Sequence, residues 1–182
     1  MARVEARGRS CKRQVCLAAT GRANGGKLML NRLTRYTSLF FFLALVAATA
    51  WWSASHEPGP FYASLQKPTW TPAKELITPM WVVLYVMIGL AGCIVWRAQG
   101  LGLALAVWFV QLGLNAAWPW LMFGHKQITH ALIDIAALWL VIVVFIFLAW
   151  PVRRSAALLF VPYFLWVTFA AALNFEIWRL NS

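Results

Sequence analysis

The sequence predicts an all-α integral membrane protein, a compact bundle of five transmembrane helices whose long first loop acts as a lid. The chain is 62% hydrophobic and only 12% charged, whereas about a quarter of the residues in a soluble domain are charged. Its apolar residues fall into five runs of 17 to 24 residues, and a helix needs about 20 to cross the hydrocarbon core. The runs cover residues 36–54, 80–96, 101–123, 128–150 and 155–178.

Helices rather than β-strands are predicted for these runs because their sequences do not alternate. Membrane strands alternate apolar and polar residues over about 10 positions, and a segment such as "LWLVIVVFIFLAW" does not. The connections after the second, third and fourth runs are very short, so consecutive helices must be antiparallel. Residues 36–182 are therefore predicted to form a single transmembrane domain.

The formal net charge of +11 does not indicate a nucleic-acid partner. Nine of the sixteen Lys and Arg residues lie within residues 1–35, and the others lie near the ends of the apolar runs. Basic residues flank membrane spans in this way, so the lipid bilayer is the expected partner. The three cysteines, Cys11, Cys16 and Cys93, have no zinc-like spacing. No metal site, disulfide framework or cofactor is expected.

Residues 1–35 are predicted to form a basic leader without fixed structure. Three origins remain open: a cytoplasmic tail, an organelle transit peptide, and an upstream start assigned in error, since the stretch from Met29 reads like a natural beginning. Twelve basic residues near span ends lie on the leader side and four on the other. This bias predicts that the leader faces the cytoplasm or its equivalent, although a start at Met29 reduces it to five against four.

Polar residues inside spans are expected to face the bundle interior. Gln111 and Asn115 share one face of the third span, which Trp118 and Pro119 continue. Two interpretations remain open for this face, a polar clasp between helices and a contact with a ligand. Pro119 also leaves a carbonyl near Asn115 without its helical donor.

The fourth and fifth spans supply further candidates. Asp134 lies in the second turn of the fourth span, one turn after His130, and is either a ligand or proton contact or an interfacial group. In the fifth span Trp166, Ala170 and Leu173 share a face. That face either packs closely against a neighbouring helix or forms a wall for a flat ligand.

The segment "LQKPTWTPAKELITPMWVVLY" interrupts the first and second spans. Pro68, Pro72 and Pro79 punctuate it, which predicts neither one helix nor a flexible linker. Pro72 suits the first turn of a short helix. A lid over the bundle would place Trp70 inward and direct Lys67 towards water or lipid headgroups.

Several stretches, taken together and in this order, resemble the translocator protein family, also called tryptophan-rich sensory proteins or peripheral-type benzodiazepine receptors. They are "FYASLQKPTWTP" with "PMWVVLY", "QLGLNAAWPWLMFG", "ALIDI" and "VPYFLWVTFAAALNFEIWRLN". The resemblance covers roughly residues 36–181. It implies a five-helix membrane bundle that forms a homodimer.

The resemblance also implies a ligand pocket closed by the first loop. The family binds porphyrins, haem, sterols and synthetic benzodiazepine-site ligands. By position, the implied ligand-binding residues are Trp70, Asn115, Trp118, Asp134, Trp166, Ala170 and Leu173, and the implied lid residues are Lys67, Pro68 and Pro72. Trp70 and Trp166 match tryptophans implicated in porphyrin breakdown by some bacterial members. They are the catalytic candidates if this chain is an enzyme, a question that the sequence leaves open.

Some positions depart from the animal members. His130 and Ala116 stand where those members carry tryptophans, and Phe175 replaces the tyrosine of their sterol motif. These differences favour tetrapyrroles over sterols and a bacterial cell membrane over an organelle membrane. Three functions are weighed: tetrapyrrole sensing or transport, light- and oxygen-dependent porphyrin degradation, and a structural role in the membrane.

Overall fold

The computed structural model describes residue 34, residues 36–56 and residues 58–182, apart from the side chain of Lys74. Residues Phe41–Ser182 form one compact unit, which contains every residue of the candidate site. The predictions for the basic leader fall outside the described residues, except at Thr34, which is helical.

The described residues form helices and no strand. Five of the helices in this part of the chain are long and apolar enough to cross a membrane, so the prediction of an all-α five-helix membrane bundle is confirmed. In chain order the elements are α1 (Tyr36–Ala54), α2 (Pro60–Ser64), α3 (Lys74–Gln99), α4 (Leu103–Pro119), a π-helical turn (Trp120–Gly124), α5 (Ile128–Val152) and α6 (Arg154–Asn181).

The second spanning helix begins earlier than the apolar run predicts. It starts at Lys74 instead of residue 80 and continues through Pro79. A proline removes one backbone hydrogen bond and crowds the carbonyl four residues earlier. Here that carbonyl belongs to Glu75 in the first turn, so only one bond near the helix start is lost. The interpretation of Pro79 as a break was therefore wrong.

The short helix of the first loop is α2, and it begins at a different proline from the one predicted. Pro60 occupies the first turn of α2, where its missing N–H leaves no intrahelical bond unmade. Pro72 precedes Ala73, the residue that caps α3. A helix therefore begins just after Pro72, but it is the 26-residue α3 rather than a short helix, and Pro72 lies before its first turn.

Helices α5 and α6 pack antiparallel, and three side-chain contacts define their register. The indole N–H of Trp139 donates to the Thr168 hydroxyl at 2.8 Å. Nearer one end, the rings of Phe145 and Phe160 lie 4.0 Å apart. Nearer the other end, the Trp178 indole donates to Thr129 at 3.2 Å.

The outer surface of the helices is apolar. Leu103, Phe147 and Leu165 are among the many large apolar side chains that remain exposed. Soluble monomers rarely expose contiguous apolar surface on this scale. Such a surface suits hydrocarbon chains, and the protein is an integral, multi-pass membrane protein.

Candidate ligand site

Asn115 joins three spanning helices through a buried pair of hydrogen bonds. The Tyr85 hydroxyl on α3 donates to Asn115 Oδ1 at 2.6 Å. Asn115 Nδ2 donates to the Tyr163 hydroxyl on α6 at 2.8 Å. The Ser53 hydroxyl on α1 lies 3.3 Å from that of Tyr85. Of the two interpretations offered for Asn115, the clasp is therefore present, and each end of the amide keeps capacity for one more hydrogen bond.

Aromatic rings extend from this clasp towards the first loop. The Trp81 ring lies 5.6 Å from Tyr85, 6.4 Å from Tyr163 and 6.5 Å from Trp166. These separations are typical of edge-to-face and tilted aromatic pairs. Sequence reasoning missed Trp81, although it precedes Tyr85 by four residues and so lies on the same helix face.

Phe169 links Trp166 to Trp70 of the first loop. The Phe169 ring lies 5.7 Å from Trp166 and 5.7 Å from Trp70. Trp70 is still 45% exposed, so it lies against α6 at the edge of the bundle rather than deep inside it. The structure thus brings both tryptophans that the resemblance identifies into contact with one ring.

A second group of rings connects the loop to α4. The Phe123 ring lies 5.5 Å from Trp118 and 5.4 Å from Tyr62 in α2. Trp118 and Tyr62 also pack against one buried cluster, formed by Met122, Ala131 and Ile177, together with Leu65 and Leu173. Leu173 and Trp118, two predicted site residues, therefore lie together beneath the loop. Ala170, one turn before Leu173 on α6, is half-buried.

Several buried polar atoms have no hydrogen-bond partner within the described part of the chain. They are both side-chain polar atoms of Gln111 and of Asn174, the indole nitrogens of Trp118 and Trp166, and Asp134 Oδ2. A buried polar group left unpaired costs about 1–3 kcal/mol. Most native buried groups are paired, so these atoms mark where an additional hydrogen-bonding group would stabilise the protein. Of the five residues that carry these atoms, three are predicted site residues: Trp118, Asp134 and Trp166.

Lys67 stabilises the loop by binding its backbone. Its ammonium donates to the carbonyls of Tyr62 at 2.7 Å, Leu65 at 2.8 Å and Ala63 at 3.3 Å, and it lies 4.9 Å from the centre of the Tyr62 ring. The last carbonyls of a helix have no intrahelical donor, and Lys67 supplies one for α2. The expectation that Lys67 points towards water or lipid headgroups was therefore wrong, because its ammonium binds carbonyls of the loop itself. Pro68 accepts from the Thr71 hydroxyl at 2.7 Å and from the Thr71 amide at 3.1 Å, which closes the next turn.

The loop is also bonded to the end of α6. The backbone N–H of Gln66 donates to Asn181 Oδ1 at 3.0 Å, and Asn181 Nδ2 donates to the backbone carbonyl of Gln66 at 2.9 Å. Nothing in the sequence analysis pointed to Asn181.

An open cleft of about 590 Å³ lies between the start of α5 and the end of α6. Its lining residues are Lys126, Gln127, Ile128, Thr129, His130, Trp178, Asn181 and Ser182. His130 is exposed there, whereas Asp134, one turn along α5, is buried. The cleft contains none of the predicted ligand-binding residues, so it is separate from the row of aromatic rings that runs from the Asn115 clasp to Trp70.

Together the fold and the site define a multi-pass membrane protein with an aromatic interior, a polar clasp and a structured first loop. Residues 38–179 match the TspO/MBR family, and the chain belongs to that family. The predicted family is thereby confirmed, and with it a receptor- or translocator-like role.

Relatives occur in both bacteria and animals. Protein CrtK of Rhodobacter capsulatus is 36% identical over 156 residues, which cover 82% of this chain and 94% of the relative. The tryptophan-rich sensory protein of Cereibacter sphaeroides is 36% identical over 140 residues, covering 77% and 89%. The translocator protein of Sus scrofa is 36% identical over 127 residues, covering 67% and 75%.

Proposed function

We propose that the protein binds tetrapyrroles, porphyrin or haem, in an interior pocket beneath the first loop and acts in their sensing, transport or homeostasis. The observation that carries this proposal is the aromatic series from Trp70 through Phe169, Trp166 and Trp81 to the Asn115 clasp. A tetrapyrrole is a large, flat, mostly apolar molecule. Indole and phenyl rings offer broad apolar faces to such a ligand, and small-molecule sites combine apolar walls with a few polar groups.

The polar groups near this series are of a suitable kind. The indole nitrogens of Trp118 and Trp166 are donors without partners among the described residues. Asn115 retains one donor and one acceptor position beyond its two tyrosines. A tetrapyrrole carries carboxylates that accept hydrogen bonds and ring nitrogens that donate or accept them. Asp134 and Asn115 would contribute orientation, and Ala170 and Leu173 would contribute apolar wall.

Light- and oxygen-dependent degradation of porphyrin is the second candidate function. It is favoured by the shared contact of Trp70 and Trp166 with Phe169, which holds both indoles against one ring at the loop end of the aromatic series. An excited porphyrin bound there would generate oxidising species close to two oxidisable rings. Sterol binding in the same pocket and a purely structural role are the remaining alternatives.

We further propose a homodimer in a bacterial cell membrane. A side chain added at Gly113 would meet nothing within 4 Å, and Ala117 follows one turn later on α4. Small residues at this spacing allow close approach of a neighbouring membrane helix. An organelle membrane is the alternative location.

Protoporphyrin IX absorbance tests the proposed pocket through matched tryptophan variants. The purified protein is titrated in the dark in wild-type form and as Trp166→Phe, Trp70→Phe and Trp51→Phe. Trp51 is 76% exposed and serves as the control. We expect Trp166→Phe and Trp70→Phe to weaken binding and Trp51→Phe to leave it unchanged. Equal affinities in all four proteins would contradict the proposal, and illumination that destroys porphyrin only when Trp70 and Trp166 are both present would favour the enzyme.

A further inference from the structure

The side-chain amide of Asn181 pairs with the backbone N–H and C=O of Gln66. Asn181 accepts from the N–H of Gln66 and donates to the C=O of the same residue, at 3.0 and 2.9 Å. A third bond runs from Asn181 Nδ2 to the Ile177 carbonyl at 2.7 Å. Both N–H groups of the amide are thereby used. Exchanging its oxygen and nitrogen would set donor against donor and acceptor against acceptor, so the orientation is fixed.

This pairing holds the part of the loop that carries the lid residues. Lys67 follows Gln66 directly and closes α2, while Leu65 precedes it and packs beneath the loop. Trp70 lies four residues further on, against Phe169. The other contacts described above between loop and spanning helices are apolar or aromatic and slide more easily than a hydrogen-bonded pair. Asn181 therefore fixes the loop at a central point.

We propose that Asn181 is a positioning residue that holds the first loop closed and thereby sets the rate at which ligand enters and leaves. The second part of this inference rests on the proposed function; the first does not. Asn181 belongs neither to the aromatic series nor to the clasp. Weakening it should favour loop opening in the free and the bound protein alike. Association and dissociation rate constants should then rise together, while the equilibrium dissociation constant changes little.

The chain offers closely matched variants. Asn181→Ala removes the pairing. Asn181→Asp keeps the acceptor for the Gln66 N–H but places an oxygen against two carbonyls. Gln66→Ala should have no effect, because the pairing uses only the backbone of Gln66. Ser182→Ala is a second control, since that hydroxyl bonds to the Trp178 carbonyl of its own helix.

Hydrogen exchange of loop residues 58–73 in the ligand-free protein is the first measurement. Both bonds are exposed to solvent, and two hydrogen bonds at the weak end of the usual range correspond to about a tenfold change in an opening equilibrium. We expect exchange of the residue-66 backbone amide, which donates to Asn181, to accelerate by about that factor in both Asn181 variants and to stay at the wild-type rate in both controls. Unchanged exchange in the Asn181 variants would overturn the inference.

Stopped-flow mixing with protoporphyrin IX is the second measurement. A parallel rise of both rate constants in the Asn181 variants supports the inference. A change in affinity at an unaltered association rate indicates a distorted pocket and overturns it, as do unchanged rate constants despite faster exchange. If exchange accelerates but even the wild type fails to bind porphyrin, the loop contact stands and the proposed function fails.

Discussion

Asn115 lies between two tyrosines from different helices, and its amide nitrogen is 2.8 Å from the hydroxyl of Tyr163. Tyr163 is fully buried and Asn115 nearly so. Water is absent from the bilayer interior, so polar groups there must be satisfied within the protein. The pairing thus stabilises the contact of α4 with α6 and, through Tyr85, with α3. It also fixes the polar end of the proposed pocket.

Removing this clasp should destabilise the bundle. Asn115→Ala breaks two interhelical hydrogen bonds, which average about 0.6 kcal/mol each within membranes. It leaves the buried Tyr163 hydroxyl without the amide that it accepts from and leaves the Tyr85 hydroxyl with Ser53 as its neighbour. We expect a loss of about 1–3 kcal/mol in the free energy of unfolding. The measurement is unfolding in detergent, with Tyr85→Phe and Tyr163→Phe each causing a smaller loss. An Asn115→Ala protein as stable as the wild type would show that the clasp contributes nothing.

Gly92 is predicted to tolerate no side chain. A Cβ at this position would lie 2.6 Å from the Trp108 ring and 2.8 Å from that of Phe42. Trp108 cannot withdraw easily, because its indole donates to the Ile88 carbonyl at 2.9 Å. Overpacking of a core typically costs about 1–3 kcal/mol, so Gly92→Ala should lower the unfolding temperature.

The matched control for this substitution is Gly113→Ala, which would meet no atom within 4 Å. It should leave the stability of the monomer unchanged or raise it by up to about 1 kcal/mol, since alanine is the better helix former. If α4 forms the proposed dimer interface, the same variant should weaken dimerisation in a size measurement. Equal unfolding temperatures for Gly92→Ala and the wild type would contradict the packing described for Trp108.

Lys67 should be necessary for an ordered loop. Lys67→Met retains much of the apolar stem but removes the donor to three carbonyls. We expect faster proteolysis within residues 58–73, at an unchanged unfolding temperature of the helices. Arg153→Met is the control, because Arg153 is exposed and follows the end of α5 that lies away from the loop. Equal cleavage rates for the two variants would show that the backbone contacts of Lys67 do not order the loop.

Alkaline pH should loosen the loop through Tyr62. Burial raises the pKa of the Tyr62 phenol above its ordinary value of 10.0. The folded loop therefore favours the neutral phenol, and this contribution is complete below pH 10 and is lost as pH rises through the raised pKa. The tyrosinate absorbance of the wild type minus that of Tyr62→Phe reports the ionisation of one phenol. This phenol should ionise at a higher pH in the folded protein than in denaturant. Coincident titrations in the folded and denatured protein would contradict this prediction.

The fold could be predicted from the sequence because the bilayer imposes a length on each helix and charges mark the ends. The shared face of Gln111 and Asn115 followed from helical spacing in the same way. The exact start of α3 could not be predicted from the sequence. Pro79 lies within the helix and Pro72 lies before it, and the sequence alone does not distinguish these two positions.

The loop contacts could not be predicted for a different reason. Gln66 and Asn181 are separated by 115 positions, and one partner is a backbone peptide, which leaves no mark on residue type. Lys67 likewise binds carbonyls that any sequence provides. Helical spacing could have placed Trp81 on the same face of α3 as Tyr85. Its contacts with Tyr163 and Trp166, which belong to another helix, could not be predicted in this way.

Quenching of tryptophan fluorescence by protoporphyrin IX in the dark shows whether a tetrapyrrole binds inside the protein. The protein is held at fixed concentration in lipid nanodiscs, with protein-free nanodiscs and a denatured sample as references. We predict that quenching saturates at a fixed ratio of porphyrin to chain and that excess haem displaces the porphyrin and reverses it. Quenching that rises in proportion to porphyrin without saturation, as for partition into lipid, would contradict it.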